Sequence, residues 1–464
     1  MSISQLYHIT RRSFQTLDAA MNVAGQNVAN AQTEGYHRRR ITMGAVDHIG
    51  RGIYSRAALG TISTGGGVSV QSYQRMHDQL LSGATWQAKS GLGFANERQR
   101  VMSSMESLFP LDTGSLQDQL GNFYNAWSDL SDNPTGTAER QSLSSKTQTL
   151  TDSLNRVDND LYSLQENTQA DLTDGVDQVN SLLKKIAGLN ATIADARNQG
   201  TPDFASEDAR DQLVGDLSEY LPVTVHESDH EGYVVTVDGM AVVQGINVTN
   251  LKLDMSGSAP SISFGDTGVV FDASSSSDGK LGALSKTLTK DIPDARSGLD
   301  ELANTLVTQV NALHTTGYGL DGSTGNDFFD PTGLTAGSIR LSDAVLADNN
   351  VIAASGDVNA AGDNAIALAL SDLRNSPLLN GGSDTTEDFV INLVSKIGGQ
   401  VSEATSQSSA QSLIVDQLQA QESAVSAVSV DEEMTNLIEL QQAYTATARV
   451  LTTVQSMMDT LLSI

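Results

Sequence analysis

TAERQSLSSKTQTLTDSLNRVDNDLYSLQENTQADLTDGVDQVNSLLKKIAGLNATIADARNQG, residues 137–200, carries the strongest periodicity in this 464-residue chain. Leu143, Thr147, Leu150, Leu154, Val157, Leu161 and Leu164 recur at spacings of three and four. The pattern pauses near Thr168 and Leu172, then resumes through Val176, Val179, Leu183, Ile186 and Ile193. Such spacing lines one face of a helix, so the stretch reads as one long coiled-coil-like helix or two in line. At a rise of about 1.5 Å per residue, about 55 residues make a rod roughly 80 Å long. Its Ser, Thr, Asp and Asn content is high for a helix, so packing rather than intrinsic propensity must hold it.

Working outward, helical spacing also dominates both chain ends. Leu17, Ala20, Met21, Ala24 and Val28 line one face of a helix over residues 4–30, and most of that stripe is small. Beyond Asp431, Leu437, Tyr444, Ala448, Leu451, Met458 and Leu462 form one seam. Val450, Val454, Met457 and Leu461 form a second beside it. A helix apolar over so much of its circumference needs more than one partner, as in a bundle or an assembly of many chains. Further helices are expected at 73–108, 114–131, 205–219, 281–316 and 384–425.

Between Leu221 and Asp272 the period changes to two: Val223 and Val225, then Tyr233, Val235 and Val237, and later Val242, Leu251, Leu253, Ile262, Phe264, Val270 and Phe271. Turn residues at Asp238-Gly239 and Gly265-Asp266 separate these runs, which predicts a small antiparallel β domain with residues 274–278 as its polar return. Residues 317–365, rich in Gly, Asn and Asp, read as loop with one strand at 338–341. The expected class is mainly α with an inserted β domain, built from elongated, coiled-coil-like helices in discontinuous domains that combine both chain ends. The expected division is 1–60 plus 420–464, 61–219 plus 276–419, and 220–275.

Composition narrows the chemistry. The chain has no Cys, which excludes disulfides, thiolate metal sites and a cysteine nucleophile. No run approaches the roughly 18 apolar residues of a membrane span, so no membrane insertion is expected. The opening residues lack the apolar core and small-residue site of a cleaved secretion signal. Net charge is −29, yet residues 1–100 sum to +6. Residues 1–60 sum to +4 and residues 405–464 to −6, so opposite ends attract. A nucleic-acid reading of His37-Arg38-Arg39-Arg40 fails against the surrounding acidity, which repels phosphates.

Each candidate site has a plainer reading. His226 and His230, with Asp229 and Glu231, are four apart, but such a pair converges on a metal only on a helix, and here it falls at a hairpin. Asp321, Ser323, Gly325 and Asp327 resemble the start of a calcium loop, yet Thr332 stands where the bidentate Glu belongs, which favours a polar turn. Gly65-Gly66-Gly67 lacks the Lys-Ser/Thr of a phosphate cradle. Asp431, Glu432 and Glu433 precede the last helix, where negative charge suits the helix dipole. No catalytic set and no cofactor site emerge.

Leu17-Asp18-Ala19-Ala20, Asn27-Val28-Ala29-Asn30, Thr33-Glu34-Gly35-Tyr36 and Arg38 resemble the N-terminal signature of the bacterial flagellar axial proteins, the rod, hook and hook-associated family. Val428-Ser429-Val430-Asp431-Glu432-Glu433, Asn436-Leu437, Gln441, Ala443-Tyr444 and Ala446 resemble the C-terminal one. Arg210-Asp211-Gln212-Leu213, Gly279-Lys280-Leu281-Gly282-Ala283-Leu284, and Val310-Asn311, His314, Gly317 and Phe328-Phe329 narrow the resemblance to the hook-associated branch at the hook–filament junction. Two departures stand out. Ala427 occupies a position where the family commonly has Gly, and the chain passes from Phe329 through Asp330-Pro331 almost directly to Ser338, so a small outer region is expected.

The resemblance implies a structural protein, not an enzyme, located at the extracellular flagellum after a transient cytoplasmic stage and type III export. It implies self-association in a ring, with the hook protein, a second junction protein (hook-associated protein 3) and a cytosolic export chaperone as partners. Terminal segments disordered in the monomer would order on assembly. Leu17, Met21, Val28, Leu437, Tyr444, Leu451, Met458 and Leu462 are the expected assembly interface, and the last five the expected chaperone surface. Another axial subunit (hook, rod or flagellin-like) and a secreted adhesin or enzyme are the alternatives.

Overall fold

The computed structural model describes residues 3–46, 66–110, 114–228, 232–257, 259–265, 267–273 and 278–462. Helix α1 spans Ile3–Ala29 and is followed by an antiparallel hairpin of β1 (Arg39–Ala45) and β2 (Val68–Arg75). The rod begins with α2 (Gln79–Glu106) and α3 (Leu116–Asp132). Asp78 caps α2 by accepting from the N–H groups of Leu80 and Leu81, and Ser115 caps α3 through Asp118.

The long periodic stretch is one unbroken helix, α4 (Thr137–Asn198), 62 residues and so roughly 90 Å long. Its expected pause has a physical cause, because α4 passes there from one core into another. Leu143, Leu150, Leu154 and Leu161 enter the first core, whereas Val176, Val179, Leu183 and Ile186 enter the second. Leu164 touches both, and Thr168 lies buried between them with its hydroxyl donating to Leu164 O at 2.7 Å.

Helix α5 (Phe204–Tyr220) packs on α4 and α2 and leads into the β region. Strands β3 (Val223–Ser228), β4 (Gly232–Val237), β5 (Met240–Gln244) and β6 (Asn247–Val248) form one antiparallel sheet in sequence order. Strands β7 (Leu251–Asp254), β8 (Ser261–Phe264) and β9 (Val270–Phe271) form a second. Val235, Val237, Val243, Ile262, Phe264 and Phe271 turn inward to join the second core. Asp229, His230, Glu231, Asp266, Gly65 and residues 274–277 lie outside the described residues.

The chain re-enters the rod through α6 (Lys280–Lys286), a π-helical turn at Thr287–Asp291, and α7 (Ile292–His314). The expected single helix over 281–316 is thus widened ahead of Pro293, whose ring crowds the carbonyl four residues back. Gly279 opens this segment with φ +76°, and a Cβ there would stand 2.2 Å from Tyr220 O. Only glycine fits both the backbone and the space.

Short helices α8 (Asp343–Ala347) and α9 (Ala365–Asp372) follow, then α10 (Thr386–Ser426), which runs beside α2, and α11 (Val430–Leu462). The strand expected at 338–341 is reduced to one bridge, Phe329 to Leu341. Asp330 accepts from Arg340 and from Thr332, closing 330–340 into a small turn. Ala427 adopts φ −71° and ψ 154°, extended backbone open to any residue, so its place in the signature needs no glycine.

His314 is fixed between two loops. Its Nδ1–H donates to Asn326 O at 2.7 Å, and its Nε2 accepts from the Ala353 N–H at 2.8 Å. A second proton would set N–H against N–H. Burial first, then nearby Arg140, pushes the imidazole down to about 4 from an ordinary 6.5, although the bond to Asn326 opposes the shift. The unfolded chain therefore binds more protons between these values, so stability is complete above about pH 6.5 and falls as the pH drops toward 4. At about 1.4 kcal/mol per pKa unit, roughly 2–3 kcal/mol is lost by pH 4.5. Urea unfolding at pH 7 and pH 4.5 is expected to show this difference in the native chain beyond that in His314→Gln. Equal slopes in the two proteins would refute it.

Candidate assembly interface

The two chain ends meet. Arg38, just beyond α1, pairs with Glu433 near the start of α11, and Phe14 lies edge-on to Tyr444 at 4.6 Å between ring centroids. The terminal helices therefore run antiparallel. The last helix thus finds one of its partners within its own chain through this pairing. The pairing is made possible by the small N-terminal stripe, because Ala20 and Ala24 let the backbones approach.

Ala20, Ala24 and Leu440 are buried together, and Leu17, Met21, Ile41 and Leu437 pack around them. Val454 is also buried. Val28 and Leu451 are half-buried, whereas Tyr444 and Met458 are exposed. Leu462 ends α11, and its side chain lies outside what is described. The seam thus divides. One edge faces α1, while Met434, Ile438, Val450 and Met457 remain 46–52% exposed on the outer surface.

The signature residues at the end of α1 form a joint. Asn27 Oδ1 accepts from Tyr36 Oη at 2.9 Å and from the Arg39 N–H at 3.0 Å, while its Nδ2 donates to Arg39 O. Arg38 N–H donates to Ser426 O at 2.8 Å, and its guanidinium reaches Glu433 at 2.7 Å and Glu432 at 3.1 Å. Among the described residues, Arg38 is the basic residue of the N-terminal part that pairs with residues 431–433. Arg12 donates to Gly66 O, and Arg39 lies over the Tyr36 and Phe204 rings.

His37 and Arg75 turn instead to α5. His37 Nδ1 lies 2.8 Å from Asp208 Oδ1, and Arg75 pairs with both Asp208 and Asp211. Tyr233 Oη donates to Asp211, with Arg210 stacked 3.5 Å over the tyrosine ring. Burial, reinforced by Asp211, pushes the Tyr233 hydroxyl well above its ordinary range, so it stays a donor. Arg75, Asp208 and His77 were not singled out by sequence. Asp208 and Asp211 stand three apart on one face of α5, a spacing that marks a shared partner but equally fits a solvated helix face.

His226 is exposed on β3, and Asp321 serves as a turn residue, accepting from Ser323 N–H at 2.9 Å. Among the described residues, His37, His77 and Glu422 are brought within metal-ligand reach of one another. Burial and the adjacent Arg75 push the His77 imidazole below its ordinary value, against the pull of Asp211 and Glu422. No described helix is long and apolar enough to cross a membrane.

The sequence profile described as "Flagellar hook-associated protein FlgK helical domain" matches residues 102–329, the block holding α3 to α7 and the β region. Residues 420–464, containing α11, match the profile "Flagellar basal body rod FlgEFG protein C-terminal". Flagellar hook-associated protein 1 of Bacillus subtilis is 28% identical, with 97% of this chain and 96% of that protein covered. End to end, the chain is similar to flagellar hook-associated protein 1. The Salmonella typhimurium relative is 26% identical and the Escherichia coli relative 24%, each matched over 100% of both chains. The fold agrees with the flagellar hook junction protein FlgK from Burkholderia pseudomallei, at a TM-score of 0.65 and 17% identity. That likeness covers 74% of this chain and 100% of the other.

Proposed function

We propose that this protein is a structural subunit of the bacterial flagellum that forms the junction ring between hook and filament after type III export. The observation that carries the reading is end-to-end similarity to hook-associated protein 1 in several bacteria. The match over 102–329 favours it over a generic rod or hook subunit, and similarity to structural flagellar proteins favours it over an enzyme. The outer apolar edge of α11 supports self-association, because Met434, Ile438, Val450 and Met457 are left for neighbouring subunits to cover.

In this reading, 1–60 plus 420–464 is the inner-tube unit, 61–219 plus 276–419 the helical rod and 220–275 the outer β domain. The joint around His37 and Arg75 is held to α5 through Asp208 and Asp211, whereas the terminal helices of the first unit are disordered in the free chain and order on assembly. Their buried apolar cluster supports this: three residues, Ala20, Ala24 and Leu440, form its centre. At about 25 cal/mol per Å2, so small a burial offsets little of the roughly 1–2 kcal/mol of backbone entropy per ordered residue. Neighbouring copies, the hook protein and hook-associated protein 3 would supply the remaining contacts.

The test is assembly in cells. Leu17→Ala combined with Leu451→Ala is expected to leave hooks without filaments and to release unpolymerised filament protein into the medium, each truncation costing up to about 2 kcal/mol at these half-buried sites. Charge reversal at the exposed Arg11 and Arg12 is expected to do much less. Electron microscopy and a blot of the medium decide, and normal filaments in the double-Ala strain would reject the interface.

A cytosolic export chaperone is proposed to cover Leu437, Tyr444, Leu451, Met458 and Leu462 before export. Deleting residues 431–464 is expected to abolish that complex, and Leu451→Asp to weaken it by placing a charge in an apolar groove. Calorimetric titration against the chaperone checks both, and unchanged affinity would remove this surface from the account.

A further inference from the structure

The joint below the terminal helices contains a second arrangement that the packing of those helices does not require. His37 follows α1, His77 precedes α2, and Glu422 lies in the last turns of α10. One potential ligand atom from each lies within 4.8 Å of the others. The imidazoles stand edge to face with centroids 5.2 Å apart.

Two details point to a bound ion rather than to chance proximity. His37 is buried, and its Nδ1 is held by the Asp208 carboxylate at 2.8 Å, which leaves Nε2 as the free nitrogen. An imidazole backed by a carboxylate is the usual support of a metal-bound histidine, because it fixes the ring and raises its basicity. His77 Nδ1 is buried and makes no hydrogen bond. A polar nitrogen in that state costs free energy unless a ligand takes it up. Glu422 is oriented as well, with Ser82 Oγ donating to its Oε1 at 2.6 Å.

Neighbouring charge permits a cation. Arg75 lies beside His37, but its guanidinium is matched by Asp208 and Asp211. Glu422 adds a negative charge to two imidazoles, a donor set suited to zinc and its neighbours rather than to calcium or magnesium.

We propose that His37, His77 and Glu422 bind a divalent transition-metal ion of the zinc type, with water completing a tetrahedral shell. The side chains close by about an ångström to reach metal bonds of about 2.0–2.2 Å. The ion ties together the exit from α1, the entry to α2 and the departure of α10 toward α11. It therefore fixes the angle at which the terminal helix pair leaves the rod.

Titration of Zn2+ into the metal-free full chain tests this, with Co2+ as a spectroscopic substitute. Calorimetry is expected to give one ion per chain, bound at least tenfold more weakly in His77→Gln and in Glu422→Gln. His226→Gln, at an exposed histidine of the β region, is expected to bind as the native chain does. Co2+ is expected to show the visible absorption of tetrahedral coordination in the native chain and to lose it in His77→Gln. Melting curves of the metal-free variants establish that they fold, and if His77→Gln does not, Glu422→Gln decides. No binding to the native chain, or equal affinity in the folded variants, overturns the site.

Discussion

Replacing Asn311 by Ala is expected to destabilise the rod by about 3–6 kcal/mol, far beyond the loss of one side-chain contact. Asn311 Nδ2 donates to Phe329 O at 2.9 Å, and its Oδ1 accepts from the N–H groups of Phe328 and Phe329 at 3.0 and 2.9 Å. Both phenylalanines are fully buried against Phe123 and Trp127, where water cannot replace the lost partners. Three backbone groups are then left unsatisfied, each costing about 1–3 kcal/mol. The pairing explains why Asn311 and Phe328-Phe329 belong to one signature although 17 residues separate them. Urea unfolding of Asn311→Ala beside Asn304→Ala, an exposed site on the same helix, checks the claim. The exposed substitution is expected to stay within about 0.5 kcal/mol of the native chain. A loss under about 1 kcal/mol at Asn311 would mean that the Phe-Phe segment does not depend on it.

The same signature contains Gly317, where a Cβ would stand 2.9 Å from Ala353 Cβ and 3.0 Å from Ser355 O. Asn311, His314 and Gly317 thus lie on consecutive turns or just beyond them, and together they fit two loops against the end of α7. The sequence displayed this spacing but not its purpose, because the three partners come from residues 326–329 and 353–355.

The helices were the most legible part of the sequence, since a spacing of three and four over 62 residues leaves α4 little alternative. The alternation around Tyr233, Val235 and Val237 revealed the β region for the corresponding reason. The hairpin of β1 and β2 was hidden. Its strands alternate poorly, with exposed Ser72 and Tyr73 adjacent to one another, and 22 residues separate Ala45 from Val68. Its pairing also crosses position 60, between residues assigned by sequence to different domains. The charge contrast between the ends was legible as an attraction. Its division was not, because α5 supplies carboxylates that look like a solvated face until His37 and Arg75 are placed on them.

Burial separates the terminal ion pairs, and they are not all weak rim contacts. The Glu433 side chain is only 2% exposed, whereas Glu432 is 65% exposed, and Arg38 reaches both. Arg38→Met leaves the Glu433 carboxylate buried without its cation, a change that costs about 3–5 kcal/mol when a buried pair is broken. Glu432→Gln removes a solvated partner worth about 0–1 kcal/mol. Because Arg38 N–H also holds Ser426 O, while Arg38 O accepts from the Met76 N–H, the backbone at this point joins α10 to the hairpin. The ion pair orients the first turn of α11 against that fixed point. Cells expressing Arg38→Met are expected to carry filaments on about a tenth of their hooks or fewer, with Glu433→Gln intermediate and Glu432→Gln close to native. The double substitution Arg38→Met with Glu433→Met is expected to recover part of the loss, since two apolar side chains leave no buried charge. Counting filament-bearing hooks by electron microscopy separates these outcomes. Equal effects of Glu432→Gln and Glu433→Gln would show that burial does not set the strength of the pair, and an unimpaired Arg38→Met strain would show that the pair does not seat α11 at all.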